Sequence, residues 1–526
     1  MGKLQRIFSY SFSLINPKKW YLWIVINLIF RFTLAYFYPW FDYLHILRHP
    51  DEHPAFERCF LKGGCCSCYI CDYLCPAETL VTHGCFGPHT TRLPGYAIIY
   101  LLFRLFLPTF YAMISMAILH ILIGAIASYL LAKAVYMVSH SKTLFLSTFI
   151  MYGLNPYVTR LDITPYADAL SNYFVSISIY LITEYMIKQN KSLLIYSGLL
   201  LGWSAFMRPA NIVLFIPSSI ALLLLIKESN VIKKIKTALL FLYPVTIIMT
   251  SFYLYYYIDT GELFRIKYHQ PLDHPYARKI QLVHGLLCYP NTDFSLKYPP
   301  DCDFGSRTMG FIDTIIARRG VGYPAAAYIP KLCFYSDAKD PFRAFFSKCP
   351  QTTKFNTDSL IAIRELAHAA VKVNEEEFYK IIEIIDQKLS EYIQSVKKEN
   401  FIDYYLTLRI KAYIHLITDS IKYDHVFSDF GYVIGVLIMI LFHSAPQVMA
   451  LILLTLSIVI SIISRNKLLL VSVLLTTSSI ILALAYISVG LSNQPRYLLS
   501  GLPYVCWGIG VMTHFLYAYT KAKIKL

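Results

Sequence analysis

Carboxylates and arginines set beside long apolar runs are the residues of this chain best suited to chemistry. Asp42 follows the first run in Trp40-Phe41-Asp42-Tyr43, and Asp51 and Glu52 come soon after in His49-Pro50-Asp51-Glu52. A carboxylate at a membrane edge can take a proton from a hydroxyl as a general base. Asp162 and Asp168 lie between two later apolar runs. Asp168 also stands where an acid would meet the positive end of a helix dipole. Arg208, in Phe206-Met207-Arg208-Pro209, closes an apolar run, and Arg496-Tyr497 opens the last one. A guanidinium beside hydrocarbon is costly unless an anion answers it, and its planar fork holds a phosphate at two points. A solvated loop acid or a snorkelling arginine accounts for any one of these residues alone. Their shared position at one face of an apolar bundle is what points to chemistry.

The elements that must hold them are membrane helices. The chain is 56% hydrophobic and 15% charged, against ~45–50% and ~25% for a soluble domain. The excess sits in runs of about 17–25 residues, enough to cross ~30 Å of hydrocarbon. Runs at 20–39, 110–137, 143–159, 166–187, 192–207, 210–226 and 237–258 read as spans, and 94–108, with Arg104, reads as an interfacial helix. Lys3, Arg6, Lys18 and Lys19 precede the first span, with no small-residue cleavage site after it. That reads as an inside N-terminus rather than a secretory signal, and it puts residues 40–93 outside. The net charge of +16 follows from inside loops rich in lysine, such as Lys188, Lys191, Lys227, Lys233, Lys234 and Lys236, and calls for no nucleic acid.

Three regions are expected: a transmembrane module at 1–258 carrying the first outer loop at 40–93, an extracytoplasmic domain at 259–428, and further spans at 429–526. The domain opens with turn signals such as Tyr298-Pro299-Pro300. Over about 357–422 its apolar residues, including Phe378, Ile381, Ile382 and Ile385, recur at helical spacing, as in amphipathic helices packed on the domain or on the membrane surface. The last runs read as spans at 429–443, 447–464, 468–489 and 496–518. Eleven spans leave the tail outside, although Arg465, Lys467, Lys521, Lys523 and Lys525 favour the inside. Either one span is re-entrant or miscounted, or the tail breaks the rule.

Seven of the 12 cysteines lie from Cys59 to Cys85, and Cys288, Cys302, Cys333 and Cys349 lie in the large loop. Outside the membrane these are expected mainly as disulfides. Cys65, Cys68, Cys71 and Cys75-Pro76 also match a ferredoxin-type spacing, and cysteines with His83 or His89 are a zinc alternative. No cofactor is expected, and divalent-metal dependence is open.

In their order these motifs resemble the GT-C superfamily of polytopic glycosyltransferases, such as the protein O-mannosyltransferases and the lipid A aminoarabinose transferase. Members have an acid just after the first span, here Asp42, or the Asp51-Glu52 pair, which looks like the His-Pro-Asp-Glu of the GPI-anchor mannosyltransferases. They then have an Arg-Pro-Pro-Gly-Tyr-Pro-like stretch, here Arg92-Leu93-Pro94-Gly95-Tyr96-Ala97, with Leu93 and Ala97 at family prolines. An acid after the third span corresponds to Asp168, an Arg/Lys-Pro to Arg208-Pro209, and an Arg-Tyr-Leu-Leu-like stretch to Arg496-Tyr497-Leu498-Leu499. The resemblance implies an all-α membrane protein of about 11–12 spans. It also implies transfer of a sugar, a hexose such as mannose, from a polyprenyl-phosphate donor. The acceptor would be a lipid, glycan or protein on the extracytoplasmic face, and the anomeric centre would invert. Asp42, Asp51, Glu52 and Asp168 would be catalytic; Arg92, Tyr96, Asp162, Arg208, Arg496 and Tyr497 would bind substrate. The alternatives are a non-catalytic subunit of a glycosylation complex and a transporter. A transporter would carry acids or breaks at mid-membrane in paired inverted repeats, a pattern this sequence lacks.

Overall fold

The computed structural model describes residues 16–37, 69–84, 93–163, 166–227, 230–260, 347, 349–370, 373, 375–418, 437–438, 440–464, 466–490 and 496–524. Among these residues every regular element is helical. Four helices are long and apolar enough to cross a membrane: Thr109–Ser139, Val231–Tyr255, Ile440–Ser464 and Lys467–Leu484. The chain forms two units, one of Met1–Arg265, Ile417–Ala483 and Pro495–Leu526, the other of Ile266–Leu416 and Leu484–Gln494.

The first unit begins with α1 (Trp20–Phe37). A helix of the first loop, α2 (Tyr69–His83), follows, then the short apolar α3 (Gly95–Arg104). The sequence reading had no helix in the first loop. There α2 buries Tyr73, Leu74 and Ala77 in one cluster with Tyr96, Ala97 and Tyr100 of α3. Next come α4 (Thr109–Ser139) and α5 (Lys142–Thr148). A single span at 143–159 is not what forms: α5 runs into a π turn at Phe149–Gly153. Asn155 then caps a short helix at Pro156–Thr159, its side chain accepting from the Tyr157 N–H at 2.9 Å. An Asn-Pro pair favours this kind of chain turn.

Further along are α6 (Ala167–Lys188), α7 (Ser192–Met207), a 3-10 turn at Pro209–Leu214, α8 (Phe215–Leu225) and α9 (Val231–Thr260). α6 packs against both α4 and α7, and α7 against α9. The α7–α9 approach depends on Gly198, where a Cβ would run into the Phe241 backbone carbonyl.

In the second unit, α10 (Thr357–Ala370) packs on α11 (Glu375–Glu399), which turns Ile385, Leu389, Tyr392, Ile393 and Val396 inward. That stripe continues the helical spacing read at Ile381 and Ile385. A π turn at Asp403–Thr407 leads into α12 (Leu408–Thr418).

Of the spans expected at 429–443 and 447–464, residues 429–436 and 439 lie outside the described residues, and the rest is helical. A π turn at Ile440–Ser444 passes directly into α13 (Ala445–Ser464). Pro446 falls inside this run, directly after the π turn. α14 (Lys467–Gly490), a single turn at Arg496–Leu499 and α15 (Leu502–Ile524) complete the chain.

Candidate functional site

The first unit holds two buried arginine–carboxylate pairs. Arg31 projects from the middle of α1 and is fully buried. Its Nε donates to Asn27 Oδ1, one turn earlier on α1, at 2.5 Å, and Nη1 donates to Asp162 Oδ2 at 2.5 Å and to Tyr173 Oη at 2.6 Å. Nη2 donates to Ser128 Oγ at 3.1 Å. Tyr173 in turn donates to Asp162 Oδ1, and Asn27 Nδ2 to the Gly153 carbonyl at 2.7 Å. Every arm of the guanidinium thus has a partner, as a charge in an apolar bundle requires. α4 makes room for it at Gly124, where a Cβ would overlap Arg31 Nη1 and lie 2.8 Å from Tyr173 Cζ.

One helical turn from Gly124 lies His120. Its Nδ1 lies 3.0 Å from the Asp162 carbonyl oxygen, which can only accept, so Nδ1 bears the proton. Nε2 is then free to accept from Tyr96 Oη at 3.3 Å. Tyr96 is fully buried and sits edge-on to Tyr73 of α2, with ring centroids 5.9 Å apart. Its phenol is held well above the usual range, first by burial, then by the nearby Tyr73 and the Asp168 carboxylate.

Asp168 stands in the first turn of α6 and is buried. Arg208 Nη1 lies 2.5 Å from its Oδ1, and Oδ2 has no hydrogen-bond partner. Arg208 is the residue after α7, in extended backbone (φ −135°, ψ 99°) ahead of Pro209, and this conformation turns it back toward α6. Nη1 also donates to Ser500 Oγ at 2.8 Å. Ser500 follows the turn opened by Arg496 and Tyr497. Beside the pair, Asn211 Nδ2 donates to Ser171 Oγ at 2.6 Å and to Ser204 Oγ at 2.7 Å, pinning α6, α7 and the 3-10 turn together.

A third polar centre lies on the first loop. Glu78 of α2 accepts from Tyr100 Oη at 2.6 Å, from Arg104 Nε at 2.9 and 3.0 Å, and from Thr109 Oγ1 at 3.4 Å. Arg104, read as a mark of an interfacial helix, is therefore the partner that docks α2 on α3.

Of the residues singled out in the sequence, Asp168 and Arg208 come together, while Asp162 pairs with Arg31 and is linked to Tyr96 through His120. Arg496 and Tyr497 lie on the turn next to Ser500. Asp42, Asp51, Glu52 and Arg92 lie outside the described residues. So do Cys65 and Cys68, while Cys71 and Cys75 fall on α2. Sequence reasoning missed Arg31, His120, Tyr173 and Glu78. For Arg31 the signal was present: an arginine inside an apolar run, four residues after Asn27, is the same cue that drew attention to Arg208. Chemically, the arrangement offers a buried guanidinium at the end of α7 paired with a buried carboxylate at the start of α6. The chain matches no protein-family model, no curated protein and no solved structure.

Proposed function

We propose that this chain is a multi-pass membrane glycosyltransferase of GT-C type that takes its sugar from a polyprenyl phosphate on the extracytoplasmic face. One observation carries the reading. Asp168, Arg208-Pro209 and the Arg496-to-Leu499 turn are far apart in sequence. They meet where α6 begins and α7 ends, linked by the Asp168–Arg208 pair and the Arg208–Ser500 hydrogen bond.

In this reading an acid of the first loop, Asp42 or one of the Asp51–Glu52 pair, takes the proton from the acceptor hydroxyl. The acceptor oxygen forms its bond to the anomeric carbon from the face opposite the phosphate. The carbon–oxygen bond to the phosphate breaks, the lipid phosphate leaves with the bonding electrons, and the centre inverts. Negative charge grows on that phosphate, and a preorganised guanidinium stabilises it. Asp168 answers Arg208 until the donor phosphate arrives to share it, and Asp168 orients the fork throughout. Arg496 and Tyr497 open the turn that leads to Ser500.

The test is donor saturation of the reconstituted chain. Arg208→Ala should raise the donor KM and lower kcat more than Arg208→Lys does, because lysine keeps the charge and loses the fork. Wild-type kinetics from Arg208→Ala would remove Arg208 from the donor site.

A further inference from the structure

A shallow cleft opens beside the end of α1. Leu34 and Ala35 of that helix form one wall, and Pro156, Thr159, Arg160 and Ile163 form the other. It encloses about 230 Å³, mouth included, less than the ~300–1,000 Å³ of a pocket that engulfs a whole ligand. It suits one polar headgroup seated at the rim.

Two side chains of the second wall can meet such a group. Thr159 is buried, yet its hydroxyl has no hydrogen-bond partner among the described residues. Its backbone is satisfied, the Thr159 N–H donating to the Asn155 carbonyl at 3.0 Å, so only the side chain is left over. A buried hydroxyl without a partner costs free energy that a ligand oxygen recovers. Arg160, the next residue, is half-buried, its Cζ 5.3 Å from the centroid of the Tyr157 ring. The aromatic face thus holds a guanidinium, the group best matched to phosphate, at the edge of the cleft.

The surroundings say which phosphate. α1 packs on α4, one of the helices long and apolar enough to cross a membrane. The one charged side chain of α1, Arg31, is fully buried, while Leu22, Val25, Ile29, Phe32 and Tyr36 are 40–76% exposed. These five recur at helical spacing and form one strip along the side of α1 next to Ala35. An apolar strip on a helix paired with a membrane-crossing one lies in hydrocarbon, so the anion that reaches this cleft is one that carries acyl chains.

We propose that the cleft seats the phosphate of an anionic membrane lipid on Arg160 and the Thr159 hydroxyl, with the acyl chains laid on the α1 strip. Its elements are not those of the Asp168–Arg208 pair, and the assignment is independent of the glycosyl-transfer reading.

The full chain, purified in detergent, is tested by native mass spectrometry with phosphatidic acid, with phosphatidylcholine, and with inorganic phosphate as a competitor. Arg160→Gln removes the charge at a half-buried position, and Thr159→Val keeps the shape and removes the hydroxyl. Phosphatidic acid should bind the wild type more tightly than phosphatidylcholine does. Arg160→Gln should weaken that binding roughly tenfold, the loss expected for one charge-assisted hydrogen bond, and Thr159→Val severalfold. A phosphatidic acid with a photoreactive diazirine near its headgroup should label residues 29–36 or 156–163 of the wild-type chain, a readout that needs no variant. Equal binding by the wild type and Arg160→Gln, or label confined to other segments, would overturn the proposal. So would displacement of the lipid by equimolar inorganic phosphate, which would make the ligand a free anion.

Discussion

Replacing Arg31 by methionine keeps much of the side-chain volume and deletes the charge. Asp162, 1% exposed, would then keep only the Tyr173 hydroxyl as a side-chain donor, while Asn27 Oδ1 and Ser128 Oγ would lose theirs. Breaking a buried pair from one side typically costs about 3–5 kcal/mol, because the stranded charge stays desolvated. That is a large share of the ~5–15 kcal/mol that separates a native protein from its unfolded states. Asp162→Asn should cost a similar amount by stranding Arg31. The Arg31→Met/Asp162→Asn double variant leaves no uncompensated charge, so it should lose much less than the sum of the two. The assay is thermal unfolding of the purified chain for wild type, both singles and the double. Both singles should melt several degrees lower, with a coupling energy of at least about 2 kcal/mol, within the range for groups sharing one network. Additive losses would refute the reasoning, because Arg31 and Asp162 would then not depend on one another.

Gly124→Ala drives a methyl into the Arg31 guanidinium and against Tyr173. It should destabilise the chain by about 1–3 kcal/mol, the usual range for overpacking, and paired with Arg31→Met the loss should shrink. In the second unit, the Glu391 carboxyl is lowered by hydrogen bonds from Lys354 and Gln387, and that of Glu399 by the Thr353 N–H. A carboxylate with a lowered folded pKa stabilises above its unfolded value of 4.5 and loses that contribution as pH falls through the folded value. The melting temperature of the α10–α11 packing should therefore hold from neutral pH down to that value and fall below it. Glu391→Gln with Glu399→Gln should flatten this acid limb.

Much of the helical layout was legible because long apolar runs have few alternatives. The run at 192–207 formed as read, and 166–187 shifted by one residue to Ala167–Lys188. The departures come from local backbone chemistry. The run expected at 143–159 breaks at the π turn Phe149–Gly153 and the Asn155 cap. The Tyr73, Leu74 and Ala77 face of α2 was hidden by the cysteines around it, which drew the reading toward disulfides and metals. Asp168 and Arg208 could be named from sequence, but their meeting could not. Nothing in one dimension says that the extended residue after α7 folds back onto the first turn of α6. Arg31 was overlooked for the opposite reason: one charge barely alters an apolar run of that length, although a buried charge there demands a partner.

The central claim is transfer from a polyprenyl phosphate, and turnover tests it most directly. The purified full chain in vesicles is given dolichyl phosphate with a radiolabelled mannose and a detergent extract of membrane lipids, glycans and proteins as acceptors. Release of dolichyl phosphate is measured together with label gained by the acceptors. The account predicts release that depends on the chain, matched by label transfer, and a loss of roughly 10²–10⁴ in rate on removing the first-loop base. The test variants are Asp42→Asn and the Asp51→Asn/Glu52→Gln pair. No release from mannose-, glucose- or aminoarabinose-linked polyprenyl phosphates by a folded chain, or undiminished release by both variants, would contradict it.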